Sequence, residues 1–72
     1  MDWSNLNYFL TFARSGSLSA ASKMLGTDHS TVARRIEALE KELKLRLVDR
    51  RARAYSLTSV GQEIRDLAVA AN

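Results

Sequence analysis

The chain has 72 residues, a net charge of +3 and no cysteine, so we expect one small domain without disulfides or thiolate metal sites. Its 46% hydrophobic and 26% charged residues are typical of a globular protein, and no apolar run approaches the roughly 20 residues of a membrane span. The N-terminus lacks the basic and apolar regions of a secretion signal, so a cytoplasmic protein is expected. A pI near 9.8 lies in the range of nucleic-acid-binding domains.

The first helix is predicted from about Trp3 to Arg14. Asp2 can cap its N-terminus, and Gly16 suits the left-handed position that ends a helix. Helical spacing places four apolar residues on one face, namely Trp3, Leu6, Leu10 and Ala13. This face is expected to lie on the core.

A second, shorter helix is predicted from Leu18 to Leu25, between Ser17 as N-cap and Gly26. Its apolar face consists of Leu18, Ala21, Met24 and Leu25. Only Thr27 and Asp28 separate Gly26 from the next helical pattern. Two short helices joined by a tight turn that contains glycine are typical of a helix-turn-helix unit.

The third helix is predicted at residues 29–43, with Asp28 as its N-cap. Its core stripe consists of Val32, Ile36, Leu39 and Leu43. The opposite face carries the polar side chains of Ser30, Arg34, Glu37 and Lys41. Further along the helix, the glutamates would repel phosphate groups, namely Glu37, Glu40 and Glu42.

The run Asp28-His29-Ser30 raises the alternative of a hydrolase triad. Neighbouring residues on a helix point about 100° apart, so these side chains cannot converge as a catalytic triad must. The sequence has a single histidine, and its isolated glycines form no phosphate-binding loop. We therefore predict no catalytic residues, no bound metal and no cofactor; the protein is not expected to be an enzyme.

Two short extended segments are predicted next, at residues 45–47 and 55–57, because apolar and polar residues alternate there. They would form a two-stranded hairpin, or wing, with a basic turn that contains Arg50, Arg51 and Arg53. A fourth helix follows, capped by Thr58 or Ser59, and its apolar stripe consists of Val60, Ile64, Leu67, Ala68 and Ala71. No stop signal precedes Asn72, so this helix is expected to be the start of a longer linker.

These elements predict a mainly α fold: a winged helix-turn-helix with a three-helix core, a two-stranded wing hairpin and the start of a linker helix. The expected division is a DNA-binding domain at residues 1–58 and a linker helix at residues 59–72. Arginine can read guanine, hydroxyl groups can bond to several bases, and small side chains allow close approach in the major groove. Residues of the third helix with these properties are Ser30, Thr31, Ala33 and Arg34. The residues expected to meet the DNA backbone are Arg35 and the wing residues Arg50, Arg51 and Arg53.

Several motifs at their mutual spacings resemble the N-terminal domain of LysR-type transcriptional regulators, namely "LNYFLTFARSGSLSAASKML", "RRIEALEKEL", "RLVDR" and "LTSVG". The resemblance implies a recognition helix at residues 29–43, with His29, Ser30, Ala33 and Arg34 at bases or the adjacent backbone. It also implies Arg53 at the wing tip and Ser17 and Ser19 near phosphates. Lys44 stands where the family often has glycine. The implied partner is double-stranded DNA with a partly palindromic operator, and a small-molecule effector would bind only through a separate domain.

A two-fold operator requires a dimer of the full-length protein, or a higher oligomer. The fourth helix is expected to supply the contact through Ile64, Leu67, Val69 and Ala71. The 72-residue chain alone is expected to be monomeric or weakly dimeric. The alternative function is a small helical protein-interaction module whose basic hairpin binds an acidic partner.

Overall fold

The structure is a computed structural model that describes residues 2–51 and 55–70. In these ranges the chain forms, in order, α1 (Trp3–Ser15), α2 (Leu18–Leu25), α3 (His29–Leu43), β1 (Val48–Asp49), β2 (Ser56–Leu57) and α4 (Ser59–Ala70). The two strands pair as an antiparallel hairpin. The predicted mainly α fold, with a hairpin inserted before the last helix, is confirmed.

The first helix begins and ends as predicted, but its buried face differs from the predicted stripe. The side chain of Asp2 accepts a hydrogen bond from the amide of Ser4, and Gly16 ends the helix with φ at 87°. The buried residues are Asn5, Phe9, Phe12 and Ala13, whereas Trp3 is 73% exposed. At about 100° per residue, Trp3 points well away from the side shared by Phe9 and Phe12. The prediction that Trp3 belongs to the core was therefore wrong.

The turn between α2 and α3 is short because glycine permits a left-handed residue directly after α2. Gly26 has φ at 67°, and its amide donates to the carbonyl groups at the end of the helix. Ala21 is completely buried in α2, and Leu18 and Leu25 pack against the core. Met24, in contrast, is 70% exposed, so its predicted place on the buried face was wrong.

The third helix carries the centre of the core. Val32, Ile36 and Leu39 are completely buried, and Leu43 is half-buried beside them, as the predicted stripe requires. The helix ends at Leu43, where Lys44 adopts a left-handed conformation with φ at 56°. The amides of Lys44 and Leu45 both donate to the carbonyl oxygen of Glu40 and close the last turn.

The first wing strand lies later in the chain than predicted. It consists of Val48–Asp49, paired in the register Val48↔Leu57 and Asp49↔Ser56. The predicted strand at residues 45–47 does not form, because the amide of Leu45 is used in closing α3. Leu47, which is completely buried, leads from α3 into the hairpin. The second strand was predicted at residues 55–57 and is observed at Ser56–Leu57.

The last helix is capped by Thr58, one of the two predicted caps. Its side-chain oxygen accepts a hydrogen bond from the amide of Gly61 at 3.1 Å and donates to the carbonyl oxygen of Arg46 at 2.7 Å. Val60 and Ile64 in the first half of α4 pack against the core. The boundary predicted between residues 1–58 and 59–72 coincides with the start of α4, and we retain it as a proposal.

Candidate nucleic-acid interface

The start of α3 is held by Asp28. Its carboxylate accepts a hydrogen bond from the amide of Thr31 at 2.7 Å and one from the hydroxyl of Ser30 at 3.4 Å. The pKa of Asp28 is lowered, chiefly by the hydrogen bond from the backbone of Thr31 and then by that residue's side chain. Asp28 is therefore an ionised helix cap, as predicted from the sequence.

The first two turns of α3 present a polar face to solvent. His29, Ser30 and Arg34 are exposed, and Thr31 and Ala33 are half-buried on its two flanks. The structure thus brings together all five residues predicted to contact bases. Within the described part of the chain, the side chain of Arg34 makes one hydrogen bond, in which Nη2 donates to the hydroxyl oxygen of Thr31 at 3.4 Å. This bond is long and weak. The guanidinium of Arg34 is consequently available to a ligand.

Arg35, the neighbour of Arg34, is held against α1. Its guanidinium donates to the side chains of Asn5 at 3.0 Å, Ser4 at 3.3 Å and Asp2 at 3.5 Å. It also lies over the ring of Tyr8, 5.1 Å from the ring centroid. These contacts tie the N-terminus of α1 to the middle of α3. A contact with the DNA backbone would have to use the 40% of the Arg35 side chain that remains exposed.

The two serines predicted near phosphates lie at the start of α2. Ser17 caps this helix, and its hydroxyl oxygen accepts a hydrogen bond from the amide of Ala20 at 3.0 Å. Its own hydroxyl hydrogen is not needed for this bond. Ser17 and Ser19 are both exposed, so each can donate to an anion.

In the wing, Arg51 points into solvent with 90% of its side chain exposed. Asp49 accepts hydrogen bonds from the backbone amide, Nε and Nη2 of Arg51 at 2.9–3.0 Å. These bonds, with the side-chain bond the largest cause, lower the pKa of Asp49 to about 2. Asp49 thus orients the guanidinium of Arg51 and partly neutralises it. Arg53, the predicted wing-tip residue, lies outside the described residues.

Arg50, which was predicted as a DNA contact, is turned inward. Its Nη2 donates to Oε1 of Glu40 at 2.8 Å, and only 25% of its side chain is exposed. Oε2 of the same glutamate accepts from the amides of Leu47 at 2.7 Å and Val48 at 3.1 Å. We call this set of contacts the Glu40–Arg50 clamp. Because the clamp binds its Nη2 and most of its side chain is buried, little of the Arg50 guanidinium is left for a contact with DNA.

Glu40 is the most important residue that the sequence analysis missed. It is 7% exposed, although it was predicted only to repel phosphates. Burial raises the pKa of its carboxyl group, but the hydrogen bonds from Arg50, Leu47 and Val48 more than compensate, so the pKa is lowered overall. A weak signal was present in the sequence, since Glu40 directly follows the buried Leu39 and precedes an arginine-rich segment by a few residues.

Four residues of α4 and its end were predicted to contact a second copy. Leu67 is 70% exposed and Val69 is 56% exposed, so both offer apolar surface. Ile64 is half-buried and packs against the core of its own chain. Ala71 lies outside the described residues. The exposed apolar surface of α4 is therefore narrower than the predicted set.

Among residues 2–51 and 55–70, no group of three or more histidine, cysteine, aspartate or glutamate side chains is arranged to hold a metal ion. Within the same ranges, no helix has the length and the apolar character needed to cross a membrane. The charged side chains at the C-terminal half of α3, Glu37 and Lys41, form an exposed ion pair of 3.9 Å.

A helix-turn-helix with an exposed polar recognition helix and a basic wing defines a winged helix-turn-helix domain of the DNA-binding type. Residues 3–62 match the family described as "Bacterial regulatory helix-turn-helix protein, lysR family". The match covers most of the chain, which therefore belongs to this family of transcriptional regulators. The resemblance inferred from the motifs is confirmed.

Among similar proteins is an uncharacterised HTH-type transcriptional regulator of Azotobacter vinelandii, from the ibpB-leuC intergenic region. It is 41% identical over 64 residues, which are 89% of this chain and 44% of that protein. A full-length structure of AphB, the virulence activator of Vibrio cholerae, is 38% identical with a TM-score of 0.82, covering 92% of this chain and 23% of the other.

The DNA-binding domain of CbnR, solved in complex with DNA, is 32% identical to this chain. Its TM-score is 0.82, and the match covers 94% of this chain and 78% of that domain. The chain spans less than half of the length of the curated relatives that it matches, 44% of one and 21% of the next.

Proposed function

We propose that this chain binds double-stranded DNA in a sequence-dependent manner, with the N-terminal half of α3 in the major groove. The observation that carries the proposal is the exposed face formed by His29, Ser30 and Arg34 at the start of a well-capped helix. Arg34 can donate to guanine, and the hydroxyl of Ser30 can bond to several bases. Thr31 and Ala33 flank this face and would contact bases at its edges.

The second half of α3 would lie outside the groove. Glu37 and Glu42 are exposed there and would be repelled by phosphates. The wing would contact the DNA backbone through Arg51 and, as predicted from the sequence, through Arg53. Ser17 and Ser19 at the start of α2 are proposed to donate to phosphates. We propose the same role for Arg35, through the exposed part of its side chain.

A second copy of the chain would bind the other half of a two-fold operator. We propose that the exposed Leu67 and Val69 of α4 take part in this contact, together with the more buried Ile64 and with Ala71. In the full-length regulator the dimer or a higher oligomer would form, whereas the 72-residue chain would be monomeric or weakly dimeric. A small-molecule effector would bind a separate domain of the full-length protein.

Selection of bound sequences from a random pool of duplexes tests the function directly. We expect recovery of a motif with dyad symmetry, and we expect its affinity to fall steeply as salt concentration rises. Recovery of no preferred sequence, together with binding of an acidic protein partner, would instead support a protein-interaction module. Analytical ultracentrifugation tests the oligomeric state, because a tight dimer would contradict the expected weak association of this chain.

A further inference from the structure

The wing needs support from outside its own hairpin. Its sheet has two residue pairs, Val48↔Leu57 and Asp49↔Ser56. An isolated hairpin is at best marginally stable in water, and this one is far shorter than usual strands. The position of the wing relative to α3 must therefore be set by side chains that bridge the two elements.

The Glu40–Arg50 clamp provides this bridge. Glu40 belongs to α3, the helix that carries Arg34, and the two residues are separated by about 9 Å along the helix axis. Its carboxylate binds the amides of Leu47 and Val48 at the start of β1 and the guanidinium of Arg50 just after it. One buried side chain thereby fixes three successive points of the first half of the wing.

Arg50 extends the connection to the second half of the wing. Its guanidinium lies over the ring of Tyr55, 5.3 Å from the centroid, immediately before β2. The ring of Tyr55 in turn meets Phe12 of α1 edge-on, with the centroids 6.1 Å apart. A continuous chain of contacts thus runs from α3 through both sides of the hairpin to the core.

We propose that Glu40 and Arg50 are positioning residues for DNA binding, which hold the basic wing at the offset from α3 that lets both elements contact one duplex. This inference rests on the proposed function. Neither residue needs to touch DNA. If the two residues have this role, loss of the clamp should weaken the contribution of the wing to DNA binding and leave base recognition by Arg34 unchanged. A general loosening of the fold would weaken both.

The test is a double-mutant cycle with Glu40→Gln. The amide oxygen of glutamine can still accept from Leu47 or Val48, but its NH₂ group cannot bind the guanidinium of Arg50. The wing is probed by Arg51→Ala/Arg53→Ala and the recognition helix by Arg34→Ala. Binding to the duplex recovered by selection is measured at several salt concentrations. Glu37→Gln is the matched control, since it also removes one negative charge from α3 but from an exposed pair.

In the wild-type background we expect the wing variant to lower the salt slope of binding by about 1–2, roughly one for each lost phosphate contact. In the Glu40→Gln background the same wing variant should lower the slope by less than half of that amount. The effect of Arg34→Ala should be unchanged by Glu40→Gln, and Glu37→Gln should alter neither effect. Circular dichroism establishes that each variant is folded.

Three results would overturn the inference. The first is a wing variant that lowers the salt slope equally in both backgrounds, and the second is a Glu40→Gln change that reduces the effect of Arg34→Ala as much as that of the wing variant. The third is a wing variant that has no effect in the wild type. A wild-type chain that binds no duplex would overturn the proposed function, and the inference with it. If Glu40→Gln does not fold, the cycle is run with Arg50→Met. That change removes the guanidinium from the clamp and leaves the amides of Leu47 and Val48 bonded to Glu40, and the same three results decide.

Discussion

Polar residues near the start of α3 and Glu40 near its end lie in opposite environments. At the start of the helix, Ser30 and Arg34 face solvent, and their side-chain hydrogen bonds among residues 2–51 and 55–70 are long, at 3.4 Å. Near its end, Glu40 is buried and binds two backbone amides and a guanidinium. The same contrast separates the adjacent Arg34 and Arg35, of which only the second is held by α1. Polar character alone thus does not distinguish a residue that binds a partner from one that anchors the fold.

The largest expected effect is the loss of the buried anchor by Glu40→Ala. This change leaves the amides of Leu47 and Val48 and the guanidinium of Arg50 without their acceptor. We expect the free energy of unfolding to fall by about 3 kcal/mol. This value is at the lower end of the range for removing one partner of a buried ion pair, because Arg50 is partly exposed. Urea unfolding followed by circular dichroism measures it. Glu37→Ala is the control and should change stability by less than about 0.5 kcal/mol; similar losses for both would contradict the contrast.

The adjacent Arg34 and Arg35 test whether an exposed side chain and an anchored side chain on the same turn of helix differ in role. Arg34→Ala should weaken binding to the selected duplex by about 1–3 kcal/mol and relax preference at one base position. It should leave thermal stability unchanged. Arg35→Ala should instead lower stability by about 1 kcal/mol, because it removes the bonds to Asn5 and Ser4. Binding and unfolding measurements on both variants check this, and interchangeable effects would show that the two arginines do not differ in role.

The junction between α3, the wing and α4 is also tightly packed at Gly61. A Cβ atom there would overlap the carbonyl oxygen of Leu47, which cannot easily move because its peptide is held on both sides. Gly61→Ala should therefore destabilise the protein by about 1–3 kcal/mol although alanine favours helices. The exposed neighbour supplies the control, since Gln62→Ala should be nearly neutral. A stabilised Gly61→Ala variant would show that the junction has room to adjust.

From the burial and hydrogen bonds of Glu40 we also predict how the stability of the protein depends on pH. The folded-state pKa of Glu40 is lowered, so its carboxylate stabilises the fold above the unfolded pKa of about 4.5. This contribution is lost as pH falls through the folded-state pKa. The stability of the wild type should therefore decline below about pH 5, and Glu40→Gln should decline less steeply. Thermal melts between pH 7 and pH 3 on both proteins measure the difference; parallel curves would exclude a contribution from Glu40.

The smallest expected effect is a gain in stability at the end of α3. Lys44 has φ at 56°, a conformation that glycine adopts without strain. Lys44→Gly should stabilise the protein by about 0.5 kcal/mol, or raise Tm by about 2–4 °C. Lys41→Gly, inside the helix, should lower stability by about 1 kcal/mol. Calorimetry on the two variants separates the outcomes, and a loss in both would show that Lys44 carries no strain.

The sequence alone determined the helices, their caps and the stripe of Val32, Ile36 and Leu39, because these features depend on local propensity and a regular period. It also determined the family and the exposed face at the start of α3. The tertiary structure decided which side chains were used internally: the burial of Glu40, the inward turn of Arg50 and the anchoring of Arg35. These depend on partners that are distant in the chain, such as Asn5 for Arg35, and spacing cannot show them. Distant partners also explain why the first strand begins at Val48 rather than Leu45. The amide of Leu45 closes the last turn of α3, and the amides of Leu47 and Val48 donate to the carboxylate of Glu40.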